Sequence, residues 1–417
     1  MTRNSTARRA EQAEDFSLVP ASLAPVDRKA SDKVLVEKAR ALRKLVAEHS
    51  ASVDAEARFP KEAFDALRKE RLLGIMIPEA LGGPEASLTA IAEICSLLAQ
   101  NCASTGMIYA MHQIKVSSLV THAQDAEWHR GFMRRIASEQ LLLGSATTEG
   151  GGVGGDLRSS NCGVDQQGTI FQLRKEGCLI SYGIESDSIL ITARRSPDAP
   201  PSDQVMAVMT RDQYTLERTQ VWNTLGMRGT CSDNFTFEGA APVEQIIPAP
   251  FADIAAQSML AHAHLLWAAT WYGIAADAVG RAEAFVRAEA RRRPGITPPG
   301  ALRLAELLTL LQRMKALIVA GIERYESAKA DPDELSSIGF VVAMNSIKVS
   351  ASQGLCEIVQ LAFLICGIHG YRNDSPHSLG RHMRDAMSTP IMINNDRILG
   401  NTSNLLAVYK HDPSLVR

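Results

Sequence analysis

The stretch with the most capacity for chemistry runs from Gly144 to Asp156. It carries the hydroxyls of Ser145, Thr147 and Thr148, the carboxylates of Glu149 and Asp156, and five glycines between those two carboxylates. Glycine admits positive φ and lets a backbone approach a ligand closely. Successive free N–H groups in such a loop can cradle a phosphate or the edge of a flavin ring. The same composition also serves as plain punctuation between domains.

A second candidate lies in Ile254 to Ala276, which contains no Asp, Glu, Lys or Arg but holds His262 and His264. Imidazole titrates near neutral pH and suits proton transfer. The two positions stand about 200° apart on a helix, so both cannot face one site. The stretch is long enough to span a bilayer. However, Gln257, Ser258 and Tyr272 interrupt it, and no basic cluster precedes it. A helix apolar all round is equally the centre of a large bundle, so no membrane span is expected.

These groups must be positioned by a chain of 417 residues, long enough for two or three domains. Hydrophobic residues make up 46% and charged residues 22%, an ordinary globular balance. A net charge of −2 supplies no basic field for nucleic acid. Seven dispersed cysteines with no CxxC pair suggest reduced thiols in a cytoplasmic protein. No metal site is expected, and the polar N-terminus lacks the apolar core of a cleavable leader.

The pattern predicts a mostly α chain with a β insert. Residues 1–30 are Ser-, Ala- and Pro-rich and read as a mobile arm. Helical spacing marks 31–143, as in Val34, Leu35, Ala39, Leu42, Leu45 and Val46, and a Gly- and Pro-rich break falls at Gly74–Pro84. Short β-rich runs at 170–173, 189–192, 205–209 and 234–237 mark a β domain over 144–250. Helices are expected near 253–292, 301–328, 335–366 and 391–409, forming a bundle over 251–417. A site is expected where the three parts meet.

Six landmarks, in order, resemble the acyl-CoA dehydrogenase superfamily. They are Leu73 to Glu79 followed by Gly82-Gly83; Thr148-Glu149-Gly150 through Asp156, similar to TEPxxGSD; Lys175 to Ser181, at the place of NGxKxWIT; Leu225 to Thr230, similar to LGxRGS; Cys366 to Tyr371, similar to GGxGY; and Arg384-Asp385-Ala386. The likeness covers residues 32 to 409. It implies an N-terminal helical domain, a middle β-barrel-like domain and a C-terminal four-helix bundle, with FAD held between the last two. By resemblance, Thr148 and Gly154 belong to the loop against the flavin, with Thr148 on its pyrimidine side. Ser181 would reach the N5 region in place of the usual Thr. Arg291 would meet the FAD pyrophosphate across a subunit interface, and Gly367 and Gly370 would let backbone approach the same diphosphate. The chain departs from the family's RxxFG pattern after Arg291, reading Arg292-Arg293-Pro294-Gly295. A homodimer or homotetramer is implied.

The resemblance fails at the proton-abstracting carboxylate. The family's Glu after RDA falls on Ile393, or on Asn394 with a one-residue shift, and neither takes a proton at neutral pH. Asp396 is the nearest carboxylate, close to one helical turn beyond Ile393; it could equally cap a helix or pair with Arg397. Relatives with the base on the first bundle helix place it at Ala263. His264 and then His262 are therefore the remaining candidates. Three functions follow. The leading one is an FAD-dependent oxidoreductase of acyl-CoA dehydrogenase type, acting on an acyl thioester and passing electrons to an electron-transfer flavoprotein. Another is a two-component monooxygenase or desulfinase-like enzyme, using flavin (FAD, or FMN) supplied reduced by a flavin reductase. The third is a non-catalytic flavin-binding scaffold.

Overall fold

The computed structural model describes residues 29–150, 157–410 and 414. The arm expected over 1–30 lies outside them except for its last two residues, and Ala30 already opens the first helix.

Six helices come first: α1 (Ala30–Ala41), α2 (Arg43–Ala55), α3 (Lys61–Lys69), α4 (Leu88–Ala99), α5 (Ala103–His122) and α6 (Glu127–Glu139). Seven strands follow: β1 (Leu143–Ala146), β2 (Asp165–Gln167), β3 (Ile170–Ile180), β4 (Ser188–Arg194), β5 (Gln204–Thr210), β6 (Tyr214–Gln220) and β7 (Asp233–Pro242). The remainder is helical: α7 (Phe251–Ile254), α8 (Leu260–Arg292), α9 (Ala301–Ala328), α10 (Pro332–Ser336), α11 (Ile338–Cys366), α12 (Ile368–Tyr371), α13 (Gly380–Ala386) and α14 (Asn395–Leu406). A π-helical turn, Ala255–Met259, joins α7 to α8.

The strands form two sheets, β1-β4-β5 and β2-β3-β7-β6. β1 pairs with β4 in parallel, and the other pairs are antiparallel. β4 and β5 are buried on both faces, which explains their unbroken apolar runs. Ile189, Ile191, Val205 and Ala207 face the core between the sheets, while Leu190, Met206 and Val208 face the helices.

Three strands were not legible in the sequence. β1 takes up Gly144, Ser145 and Ala146, so the glycine-rich stretch starts as strand and only then becomes loop. β2 is largely solvent-facing with no apolar alternation, and β6 alternates only over Tyr214 to Glu217 before it turns to solvent.

α8 runs through the centre of the helical part with Leu265, Leu266, Trp271 and Ile274 buried. It touches α4 closely: a Cβ on Gly273 would lie 2.3 Å from the Ser96 carbonyl oxygen. The expected uncharged stretch is thus interior, as is most of its length. Among the described residues, the helix long and apolar enough to cross a membrane is α11, half of whose most apolar window is buried inside the protein. Phe340, Met344, Leu355, Ile358 and Val359 supply that packing. Its start is set by Ser337, whose hydroxyl accepts the Phe340 N–H, so the helix expected over 335–366 is two helices.

Lys115 of α5 is buried beside the π-helical turn, and its ammonium has the Met259 sulfur at 3.5 Å as its hydrogen-bond partner. Burial pulls its pKa down to about 8. This lies below the unfolded value of about 10.4. Between the two values the unfolded chain binds the extra proton, so stability rises with pH across that window. Lys115→Met should therefore stabilise the protein by about 1–4 kcal/mol at pH 7 and flatten the rise above pH 8. Urea unfolding at pH 7 and pH 9.5 checks both parts; a destabilised variant would contradict the argument.

Candidate functional site

The strand region meets the bundle at the turn between β6 and β7, beside the end of β3. Leu179 and Ser181 share one face there, as the two-residue period requires. The Thr148 hydroxyl accepts from the Leu179 N–H (3.0 Å) and donates to its carbonyl (3.3 Å). Thr148 and Ser181 are thus brought to one place from positions 33 residues apart. Ser181 Oγ lies 2.7 Å from Ser232 Oγ, Ser232 Oγ lies 2.8 Å from Thr230 Oγ1, and Thr230 donates to the Met227 carbonyl at 2.9 Å. Gly154 lies outside the described residues.

The next residue, Glu149, has a different task. It is buried, with Lys175 Nζ at 3.1 Å. Ser160 donates to one of its oxygens, and the Asn161 N–H donates to the other at 2.6 Å. Lys175 also donates to the carbonyls of Ala146 (3.1 Å) and Thr192 (2.7 Å). Burial alone would push the Glu149 carboxyl up, but Lys175 and these donors outweigh it and hold its pKa below the usual value. Glu149 therefore pins the start of the glycine-rich loop to β3 and β4.

The turn at Leu225 to Thr230 docks on α13. A Cβ on Gly226 would lie 2.2 Å from the Arg384 carbonyl oxygen. The Met227 N–H donates to Asp385 Oδ1 at 2.6 Å. Burial raises the Asp385 carboxyl to about 6, with the Met227 N–H opposing it. Arg384 donates to Asp54 of α2 (2.8 Å) and to the Leu225 carbonyl (3.0 Å). The Arg-Asp-Ala motif is therefore a joint between the helices, the strands and the bundle, a role the sequence match did not reveal.

The proton-transfer candidates separate. His264 Nδ1 donates to the Met344 carbonyl of α11 at 3.1 Å, and His262 Nδ1 donates to the Ser258 carbonyl at 2.9 Å. The His262 ring meets Tyr325 of α9 edge-on at 4.7 Å. The two rings thus face different helices, as their spacing demands. Burial lowers both pKa values to about 4, so each is neutral at pH 7 and a weak base.

Asp396 is exposed in the first turn of α14. The helix starts later than expected, at Asn395, because Ile393 has φ 45° and Asn394 is the N-cap, accepting the Asp396 N–H at 2.7 Å. The one-turn relation between Ile393 and Asp396 therefore does not exist, and the cap is Asn394. Lys348 Nζ, buried, donates to the Ile393 carbonyl (2.7 Å), the Thr389 carbonyl (3.2 Å) and Asn395 Oδ1 (2.7 Å). This segment is thus held by a cation and presents no carboxylate at 393 or 394.

The remaining residues form a second group at one end of the bundle. Arg291 is exposed near the end of α8, and Gly367, with φ 54°, ends α11. Gly370 lies in α12, and a Cβ there would meet Cys366 Cβ at 3.0 Å. Phe285 of α8 lies 5.6 Å from His369, which brings these ends together. A wide groove of about 670 Å³ lies elsewhere, on the strand surface around Gln172, Arg174 and Glu238. It contains none of the site residues above.

The site's surface suits a flat ring with a polar edge. Leu179, bonded to Thr148, is 39% exposed, and Val221 (62%) and Leu225 (61%) are exposed on either side of the half-buried Trp222 in the segment that leads into the Met227 turn. Such apolar walls with a few convergent polar groups are the usual make-up of a cofactor site.

Comparison with known proteins agrees in both sequence and shape. The family model "Acyl-CoA dehydrogenase, N-terminal domain" matches residues 31–140, and "Acyl-CoA dehydrogenase, C-terminal domain" matches 254–400. The probable acyl-CoA dehydrogenase FadE25 of Mycobacterium tuberculosis is 26% identical over 352 residues, covering 84% of this chain and 87% of its own. FMN-bound TdsC from Paenibacillus sp. A11-2, a dibenzothiophene monooxygenase, superposes with TM-score 0.76 at 20% identity, covering 93% of this chain and 99% of its own. Butyryl-CoA dehydrogenase from Megasphaera elsdenii superposes with TM-score 0.75 at 18% identity, covering 92% and 100%. The two matched segments together cover more than half of the chain and flank the strands on both sides, so the chain is a flavoenzyme of the acyl-CoA dehydrogenase family.

Proposed function

We propose that this chain is a flavin-dependent oxidoreductase that works without a carboxylate to abstract an α-proton, and that a two-component monooxygenase reaction fits it best. The observation that carries this reading is the segment after α13. Ile393 and Asn394 stand where an acidic side chain would be needed, and Lys348 holds the Ile393 carbonyl. A general base needs both reach and a pKa near the working pH. His264 and His262 are buried and neutral with pKa values near 4, and Asp396 is exposed on the far side of a helix cap.

In this reading Thr148, the Leu179 backbone and Ser181 hold the edge of the flavin ring. Arg291, Gly367 and Gly370 meet its diphosphate, Arg291 from a second copy of the chain. That makes FAD the better fit, with FMN lacking a use for the second group. When bound and reduced, the flavin would supply the electrons for oxygen activation. The protein's part is to orient it, exclude water and bind a small-molecule substrate against the apolar walls. A flavin reductase is then the partner. Exposed Leu302, Leu364, Ile368 and Tyr371 on the bundle support a homo-oligomer, dimer or tetramer. Seven free thiols support a reducing, cytoplasmic location.

The second reading is dehydrogenation of an acyl thioester, with an electron-transfer flavoprotein as acceptor. The similarity to FadE25 favours it. Anaerobic mixing of the flavin-loaded protein with a panel of acyl thioesters separates the two. The expected result is no bleaching of the flavin, with oxygen-dependent product only when reduced flavin is supplied. Rapid anaerobic bleaching would overturn the monooxygenase reading. His264→Ala would then test the remaining base, by slowing reduction while leaving FAD affinity unchanged. Failure to bind any flavin would leave the scaffold without a cofactor and remove both enzymatic readings.

A further inference from the structure

We propose that Ser181, Ser232 and Thr230 form a one-way hydrogen-bond row that makes Ser181 an obligate acceptor, so that the site favours reduced over oxidised flavin. This rests on the proposed placement of a flavin beside Ser181.

The direction follows from counting protons. Between Ser181 Oγ and the Met227 carbonyl oxygen lie three oxygen–oxygen contacts, of 2.7, 2.8 and 2.9 Å. Three hydroxyl protons are available, and the carbonyl brings none. One proton per contact is reached in a single way. Thr230 donates to Met227, Ser232 donates to Thr230, and Ser181 donates to Ser232. Reversal would leave Thr230 Oγ1 facing the carbonyl oxygen at 2.9 Å with no proton between them. Ser232 and Thr230 are buried, which denies them water as an alternative partner.

The far end of the row is fixed in place. The Met227 carbonyl also accepts from Trp222 Nε1 and from the Thr230 N–H, each at 3.1 Å, and the Met227 N–H is held by Asp385 at 2.6 Å. The end therefore cannot swing away to relieve a reversed row. Ser181 is left with lone pairs alone to offer outward.

The flavin N5 is a bare acceptor when oxidised and carries an N–H when reduced by two electrons. A lone pair from Ser181 repels the first and bonds the second. Ser232 and Thr230 act as positioning residues, since they set the polarity of a hydroxyl without touching the ligand. This is the preference expected of a protein that receives its flavin already reduced.

The test is anaerobic titration of the full chain with oxidised and with dithionite-reduced FAD and FMN. One neutral hydrogen bond corresponds to about a three- to tenfold difference in affinity. Tenfold is about 30 mV in the midpoint potential of a two-electron couple. Thr230→Val removes the last hydroxyl and frees Ser232 to donate back to Ser181, whose own proton can then point outward. The ratio of reduced to oxidised affinity should fall about three- to tenfold. Ser232→Ala should lower it likewise by cutting the row one link nearer, and Thr230→Ser should keep the wild-type ratio. An unchanged ratio in Thr230→Val and Ser232→Ala, with flavin still bound, overturns the row while leaving the flavin site intact. No binding of either redox form by the wild-type protein overturns the flavin reading and the row together.

Discussion

Replacing Glu149 by glutamine should destabilise the protein by about 3–5 kcal/mol, the usual cost of stranding one member of a buried ion pair. The partner left behind is Lys175, buried and surrounded by neutral oxygens from Ala146 and Thr192. These satisfy its donors but not its charge. The double variant Glu149→Gln/Lys175→Met should recover much of the loss, because it removes the stranded ammonium. The pH dependence has a definite sign. The folded carboxyl is held below its usual value, so the unfolded chain binds the proton first as pH falls. The stabilisation is complete at neutral pH and is lost as pH drops below the free glutamate value of about 4.3. Urea unfolding from pH 7 to pH 3 would reveal it. A cost under about 1 kcal/mol at pH 7, the range of an exposed pair, would mean that Lys175 is solvated after all. Flavin affinity should fall in the single variant as well, since Thr148 is the neighbour of Glu149.

Gly226→Ala should be the most disruptive methyl addition at the site. The new Cβ would lie 2.2 Å from the Arg384 carbonyl oxygen and 2.3 Å from its carbon. Both are backbone atoms of α13, so no side-chain rotation relieves the clash. The turn must lift, and lifting it breaks the buried bond from the Met227 N–H to Asp385. Overpacking and the lost bond together predict a cost of about 3 kcal/mol or more, with loss of flavin capture as the joint opens. Gly131→Ala is the control. It lies within α6 with nothing within 4 Å of an added Cβ, and alanine there should stabilise by about 0.5–1 kcal/mol. Thermal melts of the two variants should move in opposite directions. A melting point for Gly226→Ala equal to the wild type would show that the seam is looser than described.

Where the sequence was informative, the signal was local. Long helix-like runs announced α8, α9 and α11, α8 through a stretch with no charged residue, because a helix buried on all sides needs no polar face. β4 and β5 were visible as apolar runs because both of their faces are buried. β6 was silent because most of its residues face solvent. The start of α14 was misplaced because a left-handed residue at Ile393 and a cap at Asn394 override a helical pattern without changing it.

The chemistry divides along the same line. Residue types alone determined that no carboxylate stands at 393, 394 or 263, since an absent side chain needs no structure to detect. They also determined that His262 and His264 would face apart, because the helical angle is a local property. Only the tertiary structure decided that Glu149 is an anchor and that Arg384 and Asp385 join three parts of the fold. Their partners are Lys175, Asp54 and the turn at Met227. The direction of the Ser181 row also belongs to the tertiary structure. It depends on which oxygens lie within 3 Å between the residue after β3 and the turn that leads into β7, and spacing along the chain does not encode such contacts.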